Sequence, residues 1–529
     1  MPDDQRSPDP FYASLEQAAG ADAVIRDEAA RQLFSQDVFA TATTVDCIVA
    51  PRSVEALAQV AATAKAAGRP MLPRGGGMSY TSGYIADDPR AVLVDTSQMN
   101  RILEINEEDM YVTVEAGCTW AQLYEALKPK GLRTPFWGPL SGLKSTIGGG
   151  LSQGNAFFGA GVWGTTTESL ISLTVVLADG TIVKTGGSAA VKGGKPFYRH
   201  YGPDLTGLFT GDCGALGFKA EATFRLMRAP KAEGYASFSF ETRDAAAAAM
   251  AEMAREAVGT EVYGFDPALM GVSMRRGNWS DDVKSLAGVV KGQKSVLAGV
   301  KEAAKIVTAG KGFAKDSGFT IHVSTEGRVQ AAVDADLDAA RQIAEDNGGS
   351  EIENSLPKVV RGTPFGPLNS MIGPEGQRWV PVHGLIAHSD APKVWAAIDA
   401  LFEEYAEAFK KHDVITGYLT TTLSTNAFLI EPVFLWPEEL YPLHEVSVDP
   451  AFLKRITPHG SNPDVTALVT EVRERATRLF LEHGATHFQI GRTYLYKEGR
   501  EDAAWRLLEA VKSAVDPDRR VNPGSLGLE

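Results

Sequence analysis

Two glycine-rich stretches constrain this chain more than any other feature. Pro73-Arg74-Gly75-Gly76-Gly77-Met78-Ser79 comes directly after a short apolar run. Pro139-Leu140-Ser141-Gly142-Leu143-Lys144-Ser145-Thr146-Ile147-Gly148-Gly149-Gly150 lies about 70 residues further on. Neither has the G-x-G-x-x-G spacing of a Rossmann turn or the Gly-Lys-Ser/Thr ending of a Walker loop. Both offer clustered backbone N–H groups with no Cβ in the way. A pyrophosphate needs that close main-chain approach and that density of donors. Arg74 adds a charge and Ser79 a hydroxyl.

The remaining pattern reads as short α/β elements. Residues 53–68 form an amphipathic helix with Val54, Leu57, Val60 and Ala64 on one face. Strands are expected at 69–73, 91–95 and 111–115, and a helix at 120–127. Residues 172–178 and 181–183 flank Asp179-Gly180, a hairpin signal. The character changes near Arg228-Ala229-Pro230. Beyond it, strands are expected at 235–240, 319–323 and 380–387, and helices at 245–256, 329–346 and 395–411. The expected domains are 1–228, 229–483 and a C-terminal segment, 484–529, that returns to the first.

Composition excludes some partners. The formal net charge of the 529 residues is -14, which argues against nucleic acid, since phosphate backbones need a cationic surface. It leaves room for a local cationic pocket. The three cysteines, Cys47, Cys118 and Cys213, are widely spaced and suit a reducing compartment. The polar, Pro-containing start has no apolar core of a secretion signal, and no run of 18 apolar residues occurs, so a cytoplasmic protein is expected. Between Lys284 and Lys315 there are seven lysines and one acid, Glu302. That stretch reads as a solvated cap helix, or as a docking surface for a membrane or an electron-acceptor protein.

The glycine stretches sit in a longer order of motifs. After Thr146 to Gly150 come Gly164-Thr165-Thr166, Val175-Val176-Leu177-Ala178-Asp179-Gly180, Asp204-Leu205-Thr206-Gly207-Leu208-Phe209 and Gly214-Ala215-Leu216-Gly217. This order resembles the FAD-binding domain of the vanillyl-alcohol oxidase / p-cresol methylhydroxylase superfamily over residues 45–228. The resemblance resumes at His487-Phe488-Gln489-Ile490-Gly491-Arg492-Thr493, Asp516-Pro517 and Asn522-Pro523-Gly524. It implies an α+β fold, with a two-subdomain PCMH-type FAD-binding domain and an α/β cap domain built on an antiparallel sheet. The cap would cover the flavin and supply the substrate pocket, and hydride would pass from a substrate carbon to flavin N5.

The same resemblance implies the cofactor contacts. They are Pro73, Arg74, Gly75, Gly76, Gly77, Met78, Ser79, Tyr80, Pro139, Ser145, Thr146, Gly148, Gly149, Gly150, Ser152, Gln153, Asn155, Gly161, Gly164, Gly214, Gly217, Arg492 and Asn522. Met78 stands where some relatives carry a flavin-linking His, and in the cap His383 is shifted from the linking position of others. FAD is therefore expected to be non-covalent.

Catalytic candidates follow from chemistry. Arg492 is a fixed cation for a phenolate or carboxylate, and it stands where phenol-oxidising relatives hold their substrate. His383 or His487 would take the hydroxyl proton as hydride leaves. Tyr418 and Tyr494 would line the pocket. The nine histidines form no H-x-G-D-G-N-x-H pattern, so no metal is expected. The expected function is oxidation of an alcohol, aromatic or benzylic and of 4-hydroxybenzyl type. Electrons would pass to oxygen, a quinone or a redox protein, and family habit suggests a homodimer. A D-2-hydroxy-acid dehydrogenase and a flavin electron carrier without a small substrate are the alternatives.

Overall fold

The structure is a computed structural model and describes residues 9–85, 87–276 and 318–529. The lysine-rich stretch from Lys284 to Lys315 lies outside the described residues. The chain forms two units. One comprises Met1–Asn155, Thr165–Arg228 and Phe488–Glu529; the other comprises Ala156–Gly164 and Ala229–His487.

The first unit contains two main sheets. In the first, β1 (Val24–Ile25), β2 (Cys47–Val49), β3 (Met71–Arg74) and β4 (Val92–Asp95) are ordered β1-β2-β4-β3, and β4 runs parallel to both β2 and β3. These strands are continuous apolar runs because both faces are covered, as parallel strands require. The helix Val54–Ala66 makes the crossover from β2 to β3. Ser53 caps it by accepting a hydrogen bond from the Ala56 N–H, and Leu57, Val60, Ala61 and Ala64 are fully buried in one core with Val49, Val92 and Val94. Each larger side chain buried in this way contributes about 1.5–3 kcal/mol.

The second sheet is antiparallel, ordered β5-β6-β10-β8-β9. Its strands are β5 (Ile102–Asn106), β6 (Tyr111–Glu115), β8 (Leu170–Val176), β9 (Ile182–Lys184) and β10 (Phe218–Arg225). The Asp179-Gly180 turn joins β8 to β9 with Gly180 at φ +84°. A small ribbon pairs β7 (Leu132–Arg133) with β11 (Met227–Arg228).

One expected loop is a helix. Ile147–Gln153 is helical, capped by Thr146, whose hydroxyl accepts from the Gly149 N–H at 3.2 Å. Three consecutive glycines disfavour a helix by about 1 kcal/mol each. Packing overrides that cost here. A Cβ on Gly148 would lie 2.8 Å from the Ala116 methyl, and one on Gly150 would lie 2.9 Å from the Asn155 amide.

The second unit is built on one antiparallel sheet. Its strands are β12 (Ala232–Phe240), β13 (Glu261–Phe265), β14 (Phe319–Gly327), β15 (Ser350–Ile352), β16 (Arg378–Pro381), β17 (Gly384–Ile386), β18 (Ile415–Leu423) and β19 (Ala427–Trp436). The order is β15-β12-β14-β13-β18-β19-β16, with β17 also on β19. Directly opposed residues share a face, so the register sorts the side chains. Ala236, Phe238, Val262, Ile321, Val323, Tyr418 and Phe434 lie on one face, against the helices Arg243–Arg255, Gln330–Asp346 and Ala391–Glu404. The other face carries Tyr235, Ser237, Glu261, Tyr263, His322, Ser324, Thr421 and Glu431. A sheet covered on both sides but polar on one is unusual as pure scaffold.

Two sequence expectations in this unit are corrected. The single strand expected over 380–387 is two, β16 and β17, because Pro381 and Pro432 both lack the N–H that a ladder needs. The chain bends between them: the Val382 N–H still reaches the Pro432 carbonyl at 2.9 Å, while His383 falls outside either strand. Beyond β17, the half-buried His388 opens a short 3-10 turn. The helix expected at 395–411 is also two, Ala391–Glu404 and Ala406–Lys411, broken at Tyr405.

Candidate functional site

Two sites emerge, one within each unit. In the first unit the two glycine stretches touch. A Cβ on Gly75 would overlap the Thr146 hydroxyl, one on Gly76 the Lys144 carbonyl, and one on Gly77 (φ +72°) the Arg74 guanidinium. Three of the loop carbonyls are occupied: Arg74 O accepts from Thr96, Gly77 O from Tyr84 and Ser79 O from the Val38 N–H. The N–H groups of Gly75, Gly76, Gly77, Met78 and Ser79 have no acceptor among the described residues. Five open donors in a row make an anion nest.

Charge at the nest agrees. Arg74 is buried, lies 3.9 Å over the Phe34 ring, and has no carboxylate within 4 Å among the described residues. Asp95 lies within Coulombic reach of it but is not in contact, so the guanidinium has room for a direct anionic partner. Lys144, from the second stretch, is pushed below its usual pKa by burial and then by the Arg74 charge. Two cations held beside each other and five open N–H groups fit a pyrophosphate.

The remaining expected cofactor residues mostly brace the cradle. Gly214 (φ +72°) lies against the Pro73 ring. Ser79 Oγ accepts from the Thr81 and Gly83 N–H groups, and Tyr80 lies on the same loop. Pro139 O accepts from Gly142 N–H, and Ser145 Oγ bonds Ser141 Oγ at 2.7 Å. Ser152 O and Gln153 O accept from the N–H groups of Cys213 and Gln489. Asn155 accepts from the buried Thr166 hydroxyl. Gly217 ends the turn that begins at Gly214 and leads into β10. Gly161 and Gly164 fall in the second unit, where the Gly161 N–H bonds Thr260 O at 2.8 Å.

Arg492 is not the open cation expected of a substrate anchor. Its guanidinium donates to Ser82 O at 2.6 Å, Asn522 Oδ1 at 2.8 Å and Pro523 O at 2.6 Å. Burial pushes its pKa down to about 10, which leaves it charged at neutral pH. Asn522 donates in turn to Gly83 O and Cys213 O. The pair clasps the far side of the first loop. Lys512, which the sequence did not single out, is fully buried and donates to Ala215 O, Val521 O and Asp516, so it holds the Gly214 turn. Tyr494 is buried in the first unit.

In the second unit the histidines converge. His383 is fully buried, its Nδ1 3.9 Å from the Glu431 carboxylate. His487 Nδ1 bonds the His383 carbonyl at 2.8 Å, with the two rings 6.1 Å apart. Burial pushes Glu431 from its ordinary 4.5 up to about 8. Tyr418 is not with them. Its hydroxyl donates to Asp399 at 2.6 Å, and its ring packs on Trp395 and Phe402, on the helix-covered face. Glu431 was missed in the sequence, although a lone acid inside the apolar run Ala427–Trp436 was a readable signal.

Glu431 carries a pH prediction. A carboxyl whose pKa rises on folding binds its proton more tightly in the folded chain, so folded stability falls as pH climbs from 4.5 through 8. Glu431→Gln is expected to raise the thermal midpoint above pH 8 and to leave it nearly unchanged near pH 5. Equal shifts at both pH values would show that the carboxyl is not held protonated.

A second polar group lies on the same sheet face. Arg361 bonds Glu261 at 2.8 Å and Glu326 at 2.5 Å, with Glu233 at 3.5 Å. Next to Glu261 on β13 stands Tyr263, whose ring is 5.4 Å from Phe157 and 5.4 Å from His322.

Comparison with known proteins agrees with the cradle. Residues 45–186 match the FAD binding domain family. The chain is 31% identical over 240 residues to the glycolate oxidase subunit GlcD of Bacillus subtilis, covering 45% of this chain and 49% of that one. It is 34% identical over 205 residues to the mitochondrial D-lactate dehydrogenase [cytochrome] 1 of Saccharomyces cerevisiae, covering 38% and 33%. The match thus spans about half of the first relative and a third of the second. Among solved structures, p-cresol methylhydroxylase with substrate bound superposes with a TM-score of 0.72 at 17% identity, covering 98% of this chain and 96% of that one.

Fold and cradle therefore define a flavoprotein whose cofactor is FAD. Within that class, residues 45–186 carry the FAD binding domain, and the chain has the fold seen in p-cresol methylhydroxylase.

Proposed function

We propose that the protein is an FAD-dependent oxidoreductase that oxidises an uncharged alcohol, aromatic or benzylic, at its carbinol carbon. The observation that carries this reading is the buried group of His383, Glu431 and His487 on the sheet's polar side. FAD, when bound, supplies the hydride acceptor. The chain has to supply position, dryness and a place for the hydroxyl proton. His383 is the group we assign to take that proton. Glu431, which burial holds protonated near neutral pH, stands 3.9 Å from its Nδ1 and so adds no charge beside it. Arg74 and the open N–H groups of the first loop would hold the FAD pyrophosphate.

The charge of two cations supports this reading over oxidation of a D-2-hydroxy acid, which the names of the sequence relatives favour. A carboxylate substrate needs a cation. Arg361 on the polar face is already held among three glutamates, and Arg492 bonds two backbone carbonyls and the Asn522 side chain. Electrons would leave to oxygen, a quinone or a redox protein.

The test is anaerobic bleaching of the visible flavin band of the purified protein by three panels. These are 4-hydroxybenzylic alcohols, other aromatic alcohols, and D-2-hydroxy acids. Bleaching by aromatic alcohols is expected. Bleaching by hydroxy acids alone would transfer the assignment to the second reading, and a bound flavin that no panel bleaches would refute both.

A further inference from the structure

Half of the large apolar side chains exposed among the described residues fall within one stretch of the first unit, from Ile182 to Leu208. Every exposed aromatic side chain among those residues is there: Phe197, Tyr198 and Tyr201, at 64%, 55% and 75%. Val191, in the same loop, is fully exposed. Single exposed apolar residues need no explanation, but a concentration of them marks a contact surface. The rings lie close together: Phe197 is 6.5 Å from Tyr198, and Tyr198 is 6.1 Å from His200. The base of the loop is tied down. The Gly187 N–H donates to Tyr198 O at 2.8 Å, Arg199 donates to Thr167 O at 2.6 Å, and the Thr206 and Thr185 hydroxyls bond at 2.8 Å. A loop already held in this way loses little conformational freedom when it docks.

Charge indicates what the loop meets. Between Asp179 and Asp204 the sequence has no acid, but it has three lysines, Arg199 and His200. Arg199 is held by Asp204 at 2.9 Å, and Lys195 bonds Asp109 at 2.5 Å with Glu108 also near. The charge offered outward is therefore that of Lys184 and Lys192. Both are exposed, and neither has a carboxylate within 4 Å among the described residues. The whole chain carries -14, so this is a cationic spot on an acidic molecule. Exposed rings beside lysines suit the boundary of an anionic bilayer, where rings sit at headgroup level and ammonium groups meet lipid phosphates. A second copy docked through the same patch about a two-fold axis would set lysines against lysines.

We propose that the loop between Ile182 and Leu208 docks the protein on an anionic lipid surface. Val191, Phe197, Tyr198 and Tyr201 enter the headgroup layer, and Lys184 and Lys192 lie against the phosphates. The docking is peripheral and reversible, since a few side chains and two charges make a weak anchor. It does not depend on which substrate the flavin oxidises.

Co-sedimentation of the FAD-loaded protein with lipid vesicles tests the docking without turnover. Vesicles of phosphatidylcholine mixed with phosphatidylglycerol are expected to carry the protein down, and less of it as salt screens the lysines. Pure phosphatidylcholine vesicles should bind it about tenfold more weakly. Phe197→Ser combined with Tyr201→Ser removes two exposed rings and should lower affinity for the mixed vesicles by about 100-fold. FAD content and thermal midpoint should stay put, because both positions are on the surface. Lys184→Glu combined with Lys192→Glu should erase the preference for phosphatidylglycerol. Leu507→Ser is the control: Leu507 is 68% exposed on the helix Asp502–Val515, and its loss should leave vesicle binding unchanged. A wild type that stays in solution with the mixed vesicles, or binding that survives both double variants, overturns the proposal. So does a lipid-free oligomer, seen by sedimentation velocity, that the serine variant breaks apart; the patch would then belong to a second copy of the chain.

Discussion

Gly76→Ala is expected to yield a folded protein that has lost FAD. The new methyl group would overlap the Lys144 carbonyl, which is backbone and cannot rotate away. The two loops must then separate. Separation moves the N–H groups of Gly75 to Ser79 and the Arg74 and Lys144 charges off one another's ligand. Hydrogen bonds to a charged group are worth about 1.5–3 kcal/mol each, so losing two of them weakens FAD binding by about 100-fold or more. The position itself is not at positive φ, so the backbone of the loop stays unstrained. Flavin absorbance per protein and an FAD titration of stripped protein measure the effect. Gly460→Ala is the control, since a Cβ there meets nothing within 4 Å. Full flavin content in Gly76→Ala would show that the loops do not need their close approach.

The cradle was legible because its signal is local. Gly75 to Gly77 and Gly148 to Gly150 are runs of a residue whose freedom from a Cβ is its use, and the strands β3 and β4 beside the first run are short and continuously apolar. Its bracing was not legible. Arg492 reads in the sequence as a lone cation beside a glycine, which suits an anion. Its acceptors are backbone carbonyls 410 and 31 positions away in the chain, and backbone atoms leave no mark in a sequence. Asn522, expected at the cofactor, donates to the Gly83 and Cys213 carbonyls, which are likewise invisible in the sequence. In the second unit the alternation Thr320-Ile321-His322-Val323-Ser324 gives a strand with one polar side. Which residues stand opposite that side depends on register across β12, β13 and β14, and strand pairing at such separations is not written locally. The strand expected across 380–387 failed for a related reason: Pro381 alone permits an edge strand, but Pro432 on the facing strand completes the break.

Arg361→Met is expected to destabilise the second unit more than any single change outside its apolar core. Arg361 and Glu261 are buried and Glu326 is half-buried, and the residues come from a helix, Ser355–Gly362, and two strands. Methionine replaces the volume of the side chain but not its charge. Two carboxylates would then be left in a poorly solvated place, and breaking a buried pair in this way costs about 3–5 kcal/mol. For a unit of this size that is a fall in thermal midpoint of about 10 °C. The cost has a pH signature, because the stranded carboxylates can take up protons. The gap to wild type should narrow as pH falls toward 5 and be widest above neutrality. Glu261 also accepts the Gly159 N–H at 2.7 Å, so this network anchors the segment that carries Phe157 and Phe158 beside Tyr263. Pairing Arg361→Met with Glu261→Gln should recover part of the loss, since one stranded charge is removed and the amide oxygen still accepts from Gly159. A midpoint unchanged in Arg361→Met, or a double variant no better than the single one, would show that the glutamates are not charged in the folded chain.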